Sequence, residues 1–481
     1  MSARASSMPG TGSWAMPGWL MAVLILIGTA TIGPALGGLS RPAFVLACGL
    51  VGWLSWRRGP PAHLQVALLL FAFSPLVRRV VDLHIGYDQL GLMLIGPLLA
   101  ILVPAVHLPR LLERRAVPSH WVWPLGIVAA SVIYAGILSM AQGDWTNAAS
   151  GMLKWLAPLL YAAVLLVSAE REEMVEAATS AFAFILPLLG IYAVYQYVAP
   201  LDWDIFWMQY APIPSIGLPL PYEVRVFATM NSPASFATFT AIGLFLIGFS
   251  KRPWLALPAL PAALGLLLSL YRTAWLSLAI SILFCLMFSA TRRRAGIILV
   301  GIAIAVVLAV LLTPFGDVVV ERLSTLSEGS QDGSAQERLE EFITLWNLPD
   351  SSLFGSGFTI TDVGAAGAMP IDGMIVACWL SMGIAIGAFC LTALCWAIGN
   401  AIAVTWTDPS SEAIVIGALA LGALLQLPLA SITSGENGFF FWTFVVLLDP
   451  ALTSRRMGKN GHRSARLERC PPTFRVRGEV G

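Results

Sequence analysis

Long apolar segments occupy most of this chain and leave few folds open to it. A helix that crosses the hydrocarbon core of a bilayer needs roughly 20 predominantly apolar residues, because its backbone groups must be hydrogen-bonded within the helix. Hydrophobic residues make up 57% of the 481 residues and charged residues only 11%, and the mean hydropathy is +0.79. Such runs fall near 19–38, 42–56, 64–77, 88–108, 121–141, 152–168, 177–199, 233–250, 254–270, 273–290, 295–314, 373–404, 411–430 and 438–449. The sequence therefore predicts an all-α, polytopic transmembrane helical bundle of about fourteen spans.

Clusters of cationic residues predict the orientation of these spans. They lie at Arg57–Arg58, Arg110 with Arg114–Arg115, Lys251–Arg252, Arg292–Arg294 and the tail from Arg455 to Arg469. When the connections are counted alternately, all of these clusters fall on one side, which the positive-inside rule makes cytoplasmic. Both termini are then cytoplasmic. The first span is expected to remain uncleaved, because further spans follow it at once.

Two long connections are predicted on the outer side. They divide the chain into N-terminal transmembrane helices (1–199), a first outer loop (200–232), central transmembrane helices (233–314), a second outer loop (315–371), C-terminal transmembrane helices (372–450) and a basic cytoplasmic tail (451–481). Loops this long are uncommon unless they are functional or disordered. In the second loop Leu339, Phe342, Ile343 and Trp346 recur at helical spacing, which predicts an ordered amphipathic helix against the membrane domain.

Several arginines fall on the outer side, where positive charge should be scarce. A guanidinium group can bind phosphate oxygens through two hydrogen bonds, so several arginines at one outer cavity would form a site for a pyrophosphate or another polyanion. The candidates are Arg78 and Arg79 after the third span, Arg225 at the end of the first loop, Arg272 between two spans with almost no linker, and Arg338 in the second loop. The alternative is local ion pairing, of Arg225 with Glu223, of Arg338 with Glu337 or Glu341, and of Arg79 with Asp82.

Carboxylates and aromatic residues near the outer side each carry two interpretations. Asp372 precedes the span 373–404 and is either a helix N-cap or the group that accepts a proton from a sugar hydroxyl. Trp203 belongs either to an interfacial aromatic belt or to a sugar-stacking surface. Asp202, Asp204 and Glu436 are expected to be solvated loop charges.

No metal, cofactor or nucleic-acid site is predicted. The five histidines and six cysteines show no ligand spacing, so they do not indicate a metal centre. The glycines of Leu353–Gly357 predict a turn that allows close backbone approach, since neither a dinucleotide nor a phosphate-loop spacing is present. The net charge of +1 gives no sign of a nucleic-acid partner.

Four segments occur in an order that resembles the O-antigen ligase and polysaccharide polymerase superfamily. The resemblance covers roughly residues 185 to 440, and it rests on the order, spacing and sidedness of the segments together. They are Leu189–Tyr197 followed by Asp202 and Trp203, the stretch from Tyr222 through Arg225 and Phe227 to Asn231–Pro233, the turn Ser269–Leu276 around Arg272, and the second outer loop with Arg338, Trp346 and Phe354–Phe358.

The resemblance implies an inverting, metal-independent glycosyltransferase of the bacterial cytoplasmic membrane, with its active site facing the periplasm. Its donor would be an oligosaccharide linked to undecaprenyl pyrophosphate. Arg225 and Arg338 match the pyrophosphate-binding arginines, and Arg272 matches the arginine of the intramembrane turn. Asp372 falls where ligases carry a histidine, which favours a polymerase of exopolysaccharide or O-antigen repeats over a ligase that transfers glycan to a lipid A core. Further substrate-binding candidates are Arg78, Arg79, Tyr222, Asn231 and Trp203.

A transporter or flippase of polysaccharide precursors is the alternative from another class of protein. In that case the outer arginines would form a gate for the substrate. The sequence shows no inverted repeat of the kind found in many transporters, and its two long outer loops favour an enzyme. The expected partners are the lipid-linked oligosaccharide and membrane lipid, while chain-length regulators and export proteins stay open as further partners.

Overall fold

The computed structural model describes residues 17–114, 117–211, 213, 216–312, 343, 351–358, 373–449 and 452. Within these ranges the chain is a bundle of α-helices, and its one extended pairing is an antiparallel bridge between Gly217 and Val224. Seven helical segments are long and apolar enough to cross a membrane, and three shorter apolar helices accompany them. The prediction of an all-α polytopic bundle is confirmed.

The first part of the bundle consists of long helices that pack around α3. α1 and α8 both pack on α3, and α6 packs on α7. The helices are α1 (Gly18–Leu36), α2 (Ser40–Trp56), α3 (Pro60–Ile85), α4 (Ile95–Leu102), α5 (Leu108–Arg114), α6 (Ser119–Ala141), α7 (Trp145–Ser168) and α8 (Arg171–Val198). Apart from α5, each of them overlaps one of the apolar runs, because burial against lipid and neighbouring helices requires apolar side chains.

The second part packs back onto the first. α11 lies against α8, α15 against α6, and α17 against α7, while α12 packs on α16. The helices are α9 (Asp202–Tyr210), α10 (Pro233–Phe249), α11 (Leu260–Leu268), α12 (Arg272–Leu286), α13 (Ser289–Leu312), α14 (Ser351–Phe354), α15 (Met374–Thr407), α16 (Ser411–Gln426) and α17 (Gly435–Leu447).

The third helix is longer than the apolar run predicts. The run ends at residue 77, whereas α3 continues to Ile85. Arg78 and Arg79 therefore lie inside α3 and are buried, so their predicted position after the span is wrong. The helix continues because nearby carboxylates, described below, balance both charges.

The predicted span 373–404 is interrupted at Gly383. This glycine has φ 76° and ψ 172°, which breaks α15 into two helical segments. The turn Leu353–Phe358 enters the break: Ser356 donates its N–H to Leu380 O (2.7 Å), and Gly357 donates its N–H to Ser381 O (3.1 Å). These bonds satisfy carbonyl groups that the interrupted helix cannot satisfy itself. The predicted close backbone approach of this glycine turn is confirmed.

Candidate functional site at one end of the bundle

Four short helices share the end of the bundle at which the candidate residues lie. α10, α12, α16 and α17 contain 17, 15, 16 and 13 residues, or about 20–26 Å at 1.5 Å per residue, less than the roughly 30 Å of a hydrocarbon core. At one end of these helices Lys251 lies 3.4 Å from Glu172 and 3.5 Å from Glu412, and Arg171 donates to Leu447 O (2.7 Å). The other end, where α10, α12 and α17 begin, is here called the site end.

Gln196 near the end of α8 fixes the turn that leads into α10. Its Oε1 accepts hydrogen bonds from the backbone N–H groups of Phe227 (3.0 Å) and Ala228 (2.8 Å). Ala228 has φ 46°, a left-handed conformation that is uncommon for residues other than glycine. The side-chain amide stabilises this conformation, so the first two of the four sequence motifs form one structural unit.

A buried ion pair between Arg79 and Asp204 stabilises the same turn. Arg79 donates from Nη1 to Asp204 Oδ1 (2.5 Å) and from Nη2 to Ala228 O (2.5 Å). Tyr192 donates its hydroxyl to Asp204 Oδ2 (2.8 Å), and the Trp203 indole N–H donates to Tyr192 Oη (2.6 Å). Asp204 is fully buried, so its prediction as a solvated loop charge is wrong. The first turn of α9 points inward, where Arg79 compensates the carboxylate.

Arg78 lies beside this unit and is also balanced by carboxylates. Its Nε donates to Asp82 Oδ2 (3.2 Å), and its Nη2 donates to the backbone oxygen of Asp88. The guanidinium stacks over the Trp207 ring at 4.9 Å, a favourable cation–π arrangement. Arg41 donates to the second oxygen of Asp82 (2.8 Å). Arg78 and Arg79 are therefore both paired with carboxylates, but the partner of Arg79 is Asp204 and not the predicted Asp82. Contact of either arginine with substrate stays a prediction.

Arg225 reaches the turn that carries Arg272. Its Nε donates to Ser269 O (3.4 Å) and its Nη2 to Leu270 O (3.3 Å), while the N–H of Val226 donates to Leu268 O (3.3 Å). The second and third motifs are therefore held together. Arg272 is the first residue of α12, so its charge adds to the positive end of the helix dipole. That combination favours an anionic ligand.

Tyr222 and Asn231 flank this segment. Tyr222 has φ 68° and an exposed ring, which meets the ring of Tyr197 edge-on at 5.7 Å. Asn231 precedes the N-cap of α10, where Ser232 Oγ accepts the N–H of Ser235 (3.2 Å). The Oδ1 atom of Asn231 is buried and accepts no hydrogen bond from any described residue.

Sequence reasoning missed a polar group on the facing helices. Glu436, in the first turn of α17, accepts a hydrogen bond from the Ser235 side chain and interacts with the charge of Lys154. Glu436 is half-buried between helices, so its prediction as a solvated loop charge is wrong. The available signal was Lys154 itself, a single charge within the apolar run 152–168.

Two predicted catalytic residues, Arg338 and Asp372, lie outside the described residues. The same holds for the predicted amphipathic helix that follows Arg338, apart from Ile343. The residue after Asp372 is described: Gly373 lies at the start of α15 with φ 102°. Met374 donates its N–H to Leu427 O (2.8 Å). The start of α15 therefore packs against the end of α16, at the site end.

The described part of the chain has no group of three or more histidine, cysteine or acidic residues placed to hold a metal ion. Its candidate ligand-binding groups are cations and hydrogen-bonding side chains. Arg225, the Arg272 turn and the N-termini of α10, α12 and α17 all lie at the site end. Fold and site together define a polytopic helical membrane protein with arginines and helix N-termini gathered at one end.

Comparison with known families gives a match to part of the site end. Residues 257–377 match the family model described as O-antigen ligase, and the resemblance to the O-antigen ligase and polysaccharide polymerase superfamily is thereby confirmed. The matched segment includes the Arg272 turn, the Leu353–Phe358 turn and the start of α15. No curated protein matches the chain.

Proposed function

We propose that this protein is a membrane glycosyltransferase that polymerises oligosaccharide repeat units linked to undecaprenyl pyrophosphate into exopolysaccharide or O-antigen. The proposal is carried by the O-antigen ligase match over residues 257–377, in which the Arg272 turn is held by Arg225. Its site end faces the outside of the cytoplasmic membrane.

The arginines account for catalysis without a divalent metal. An acceptor hydroxyl attacks the anomeric carbon of the donor sugar from the face opposite the pyrophosphate, and the bond between that carbon and the pyrophosphate oxygen breaks with inversion. Negative charge grows on the leaving pyrophosphate, and preorganised cations stabilise it most in the transition state. Arg225, Arg272 and Arg338 supply these cations. The hydroxyl proton passes to the Asp372 carboxylate.

The proposed donor stays in the membrane. The isoprenoid chain remains in lipid, so its pyrophosphate must approach from the side, near the level of the head groups. The proposed contact for the leaving group is Arg272 at the start of α12. The proposal therefore includes lateral entry of the donor between helices.

Asp372 distinguishes a polymerase from a ligase in this proposal. Ligases of the superfamily carry a histidine followed by asparagine at the matching position, whereas this chain has Asp372 and Gly373. A lipid-linked repeat unit is therefore the proposed acceptor. Transfer to a lipid A core is the second outcome that the assay can detect.

The test is chain elongation by purified protein. Lipid-linked repeat units are incubated with the protein and a chelator, and the glycans are resolved on a gel. We expect a ladder of increasing length with wild type. Arg225→Ala and Arg272→Ala should lose at least about a hundredfold in rate, the scale for removing one preorganised donor to a developing anion.

Arg252→Ala is the matched control. This exposed arginine lies at the opposite end of the bundle, 3.8 Å from Glu176, and its removal should leave the ladder intact. Absence of a ladder with the native donor would contradict a polymerase. A single product formed only when lipid A core is added would identify a ligase.

A further inference from the structure

A cavity lies at the end of the bundle opposite the site end. Its volume is about 250 Å³, close to the lower limit of about 300 Å³ for small-ligand pockets. The beginnings of α8 and α16, the end of α10 and the connection after α10 form its walls, and Arg294 of α13 also lines it. The described residues that line this cavity are separate from those of the site end.

The lining of the cavity is charged near the helix ends and apolar one turn farther in. Its charged residues include Lys251, Arg294, Glu172 and Glu412. Leu246 and Val415, which line it one turn inside α10 and α16, are buried apolar side chains. Such a lining suits an amphiphile, because a charged head can lie among the ion pairs while an apolar chain continues along the helices.

Cations and carboxylates stand side by side in this cavity. Lys251 Nζ lies 3.4 Å from Glu172 Oε1 and 3.5 Å from Glu412 Oε1. Arg294 donates from Nη1 to Phe249 O (2.7 Å), which fixes the guanidinium at the end of α10. The side chains of Lys251 and Glu172 are 77% and 46% exposed, so a ligand can reach both.

The connection after α10 carries exposed apolar side chains beside these charges. Trp254 and Leu257 follow Lys251 by three and six positions, and both are exposed. Exposed tryptophan next to cationic residues is typical of the boundary between a membrane and water. The mouth of the cavity therefore lies at the level of lipid head groups, where a phospholipid can enter from the side.

The mixed charges select the kind of head group. A phosphate alone is attracted by Lys251 and Arg294 but repelled by the two carboxylates. A head group that also carries a primary ammonium offers three N–H donors to those carboxylates. Phosphatidylethanolamine has this combination. Phosphatidylcholine has a quaternary ammonium without N–H donors, and phosphatidylglycerol has no cation.

We infer that this cavity binds the head group of one phosphatidylethanolamine molecule from the cytoplasmic leaflet. Its phosphate lies at Lys251 and Arg294, and its ammonium lies at Glu172 and Glu412. The bound lipid connects α8, α10, α13 and α16 at this end. The inference goes beyond the proposed function, because lipid binding at this end involves none of the residues assigned to glycan transfer.

The test compares three lipids that share the phosphate and differ in the rest of the head group. Full-length protein in detergent is titrated with dioctanoyl phosphatidylethanolamine, phosphatidylcholine or phosphatidylglycerol, and bound lipid is counted by native mass spectrometry. Wild type should bind phosphatidylethanolamine about tenfold more tightly than either of the others, the equivalent of one charge-assisted hydrogen bond.

Two variants separate the ammonium contact from the phosphate contact. Glu172→Gln should remove the preference for phosphatidylethanolamine and leave phosphatidylcholine binding within about twofold of wild type. Lys251→Gln should weaken both lipids alike by about tenfold, because both carry the phosphate. A change of selectivity in one variant and of affinity in the other is not expected from a general loss of structure.

Arg57→Gln is the matched control, because Arg57 is an exposed arginine of another cationic cluster and does not line the cavity. Its lipid affinities should equal those of wild type. Equal binding of the three lipids to wild type overturns the inference, as does tighter binding of phosphatidylglycerol. An unchanged preference in Glu172→Gln also overturns it, and this variant decides the question alone should Lys251→Gln fail to fold.

Discussion

The Arg79–Asp204 pair illustrates how single residues hold the site together. Both side chains are completely buried, and Arg79 also binds the carbonyl of Ala228 in the turn before α10. Two opposite charges at 2.5 Å in a dry interior compensate each other, but either one alone would be an unpaired buried charge. The pair therefore stabilises the segment that delivers Arg225 to the Arg272 turn.

Asp204→Asn should lower the stability of the protein strongly. Removing one partner of a buried ion pair costs about 3–5 kcal/mol, because the other charge stays buried. The variant should melt at a clearly lower temperature in detergent, followed by tryptophan fluorescence. Asp202→Asn, an exposed position on the same helix, should melt like wild type. Equal melting temperatures for the two variants would contradict a structural role for the pair.

The residue scale also shows which site residues the sequence could predict. Arg225 and Arg272 are predicted by outer positive charge, and the structure brings them to one turn. Arg78 and Arg79 carry the same signal, yet they are balanced by carboxylates. The partner of Arg79 is 125 positions away in the chain, so spacing suggested the i+3 neighbour Asp82 instead. Long-range pairing of this kind depends on the packing of α9 and leaves no local pattern.

At the scale of elements, the break in α15 gives the Leu353–Phe358 turn its place. The ring of Phe358 is buried and packs against Gly151 of α7, and its N–H donates to Ser139 Oγ in α6 (2.6 Å). Tyr134 donates its hydroxyl to Phe354 O (2.8 Å). The turn thereby connects α6, α7 and α15 within the segment 257–377 that matches the family model.

Gly383→Ala should disturb this connection. The added Cβ would overlap the Leu353 carbonyl, and φ 76° is unfavourable for any residue with a side chain. We expect a loss of more than about 1 kcal/mol of stability, and a weaker polymer ladder. Gly399→Ala in the same helix has open space around it and should be neutral or slightly stabilising. A Gly383→Ala variant that behaves like Gly399→Ala would contradict the role of the break.

Elements differ in how far the sequence predicts them. Each apolar run of the sequence contains a helix in the structure, since lipid and helix packing demand apolar side chains whatever the neighbours are. The break at Gly383 was not predicted, because a glycine in an apolar helix leaves hydropathy unchanged. It is the approach of Leu353–Phe358 that requires it. The C-terminal end of α3 was not predicted either, because buried ion pairs allow the helix to continue past the apolar run.

For the whole molecule, charged contacts join the two parts of the bundle at the end opposite the site. Arg171 at the start of α8 donates to Leu447 O (2.7 Å) and Leu448 O (2.9 Å) at the end of α17. It also binds Asp408 between α15 and α16 (2.5 Å). One side chain thus joins the first and second parts of the bundle.

The Arg171–Asp408 contact predicts how the stability of the whole bundle depends on pH. Burial alone would raise the pKa of Asp408, but hydrogen bonds from Arg171 and Ser410 outweigh it and hold this pKa below its ordinary value. A carboxyl group with a depressed folded-state pKa stabilises the fold above its unfolded pKa of about 3.9, and this contribution is lost as pH falls through the folded pKa.

Melting temperatures between pH 7 and the acid limit of solubility test this for wild type and Asp408→Asn. The variant should melt lower at pH 7, and the gap should narrow as the pH falls below about 4, because protonated Asp408 resembles asparagine. Glu412→Gln, whose partner Lys251 is exposed at 3.5 Å, should stay close to wild type throughout, as exposed pairs contribute little. A constant gap between wild type and Asp408→Asn would show that Asp408 acts through packing alone, and the connection between the two parts of the bundle would then depend on the bonds from Arg171 to the end of α17.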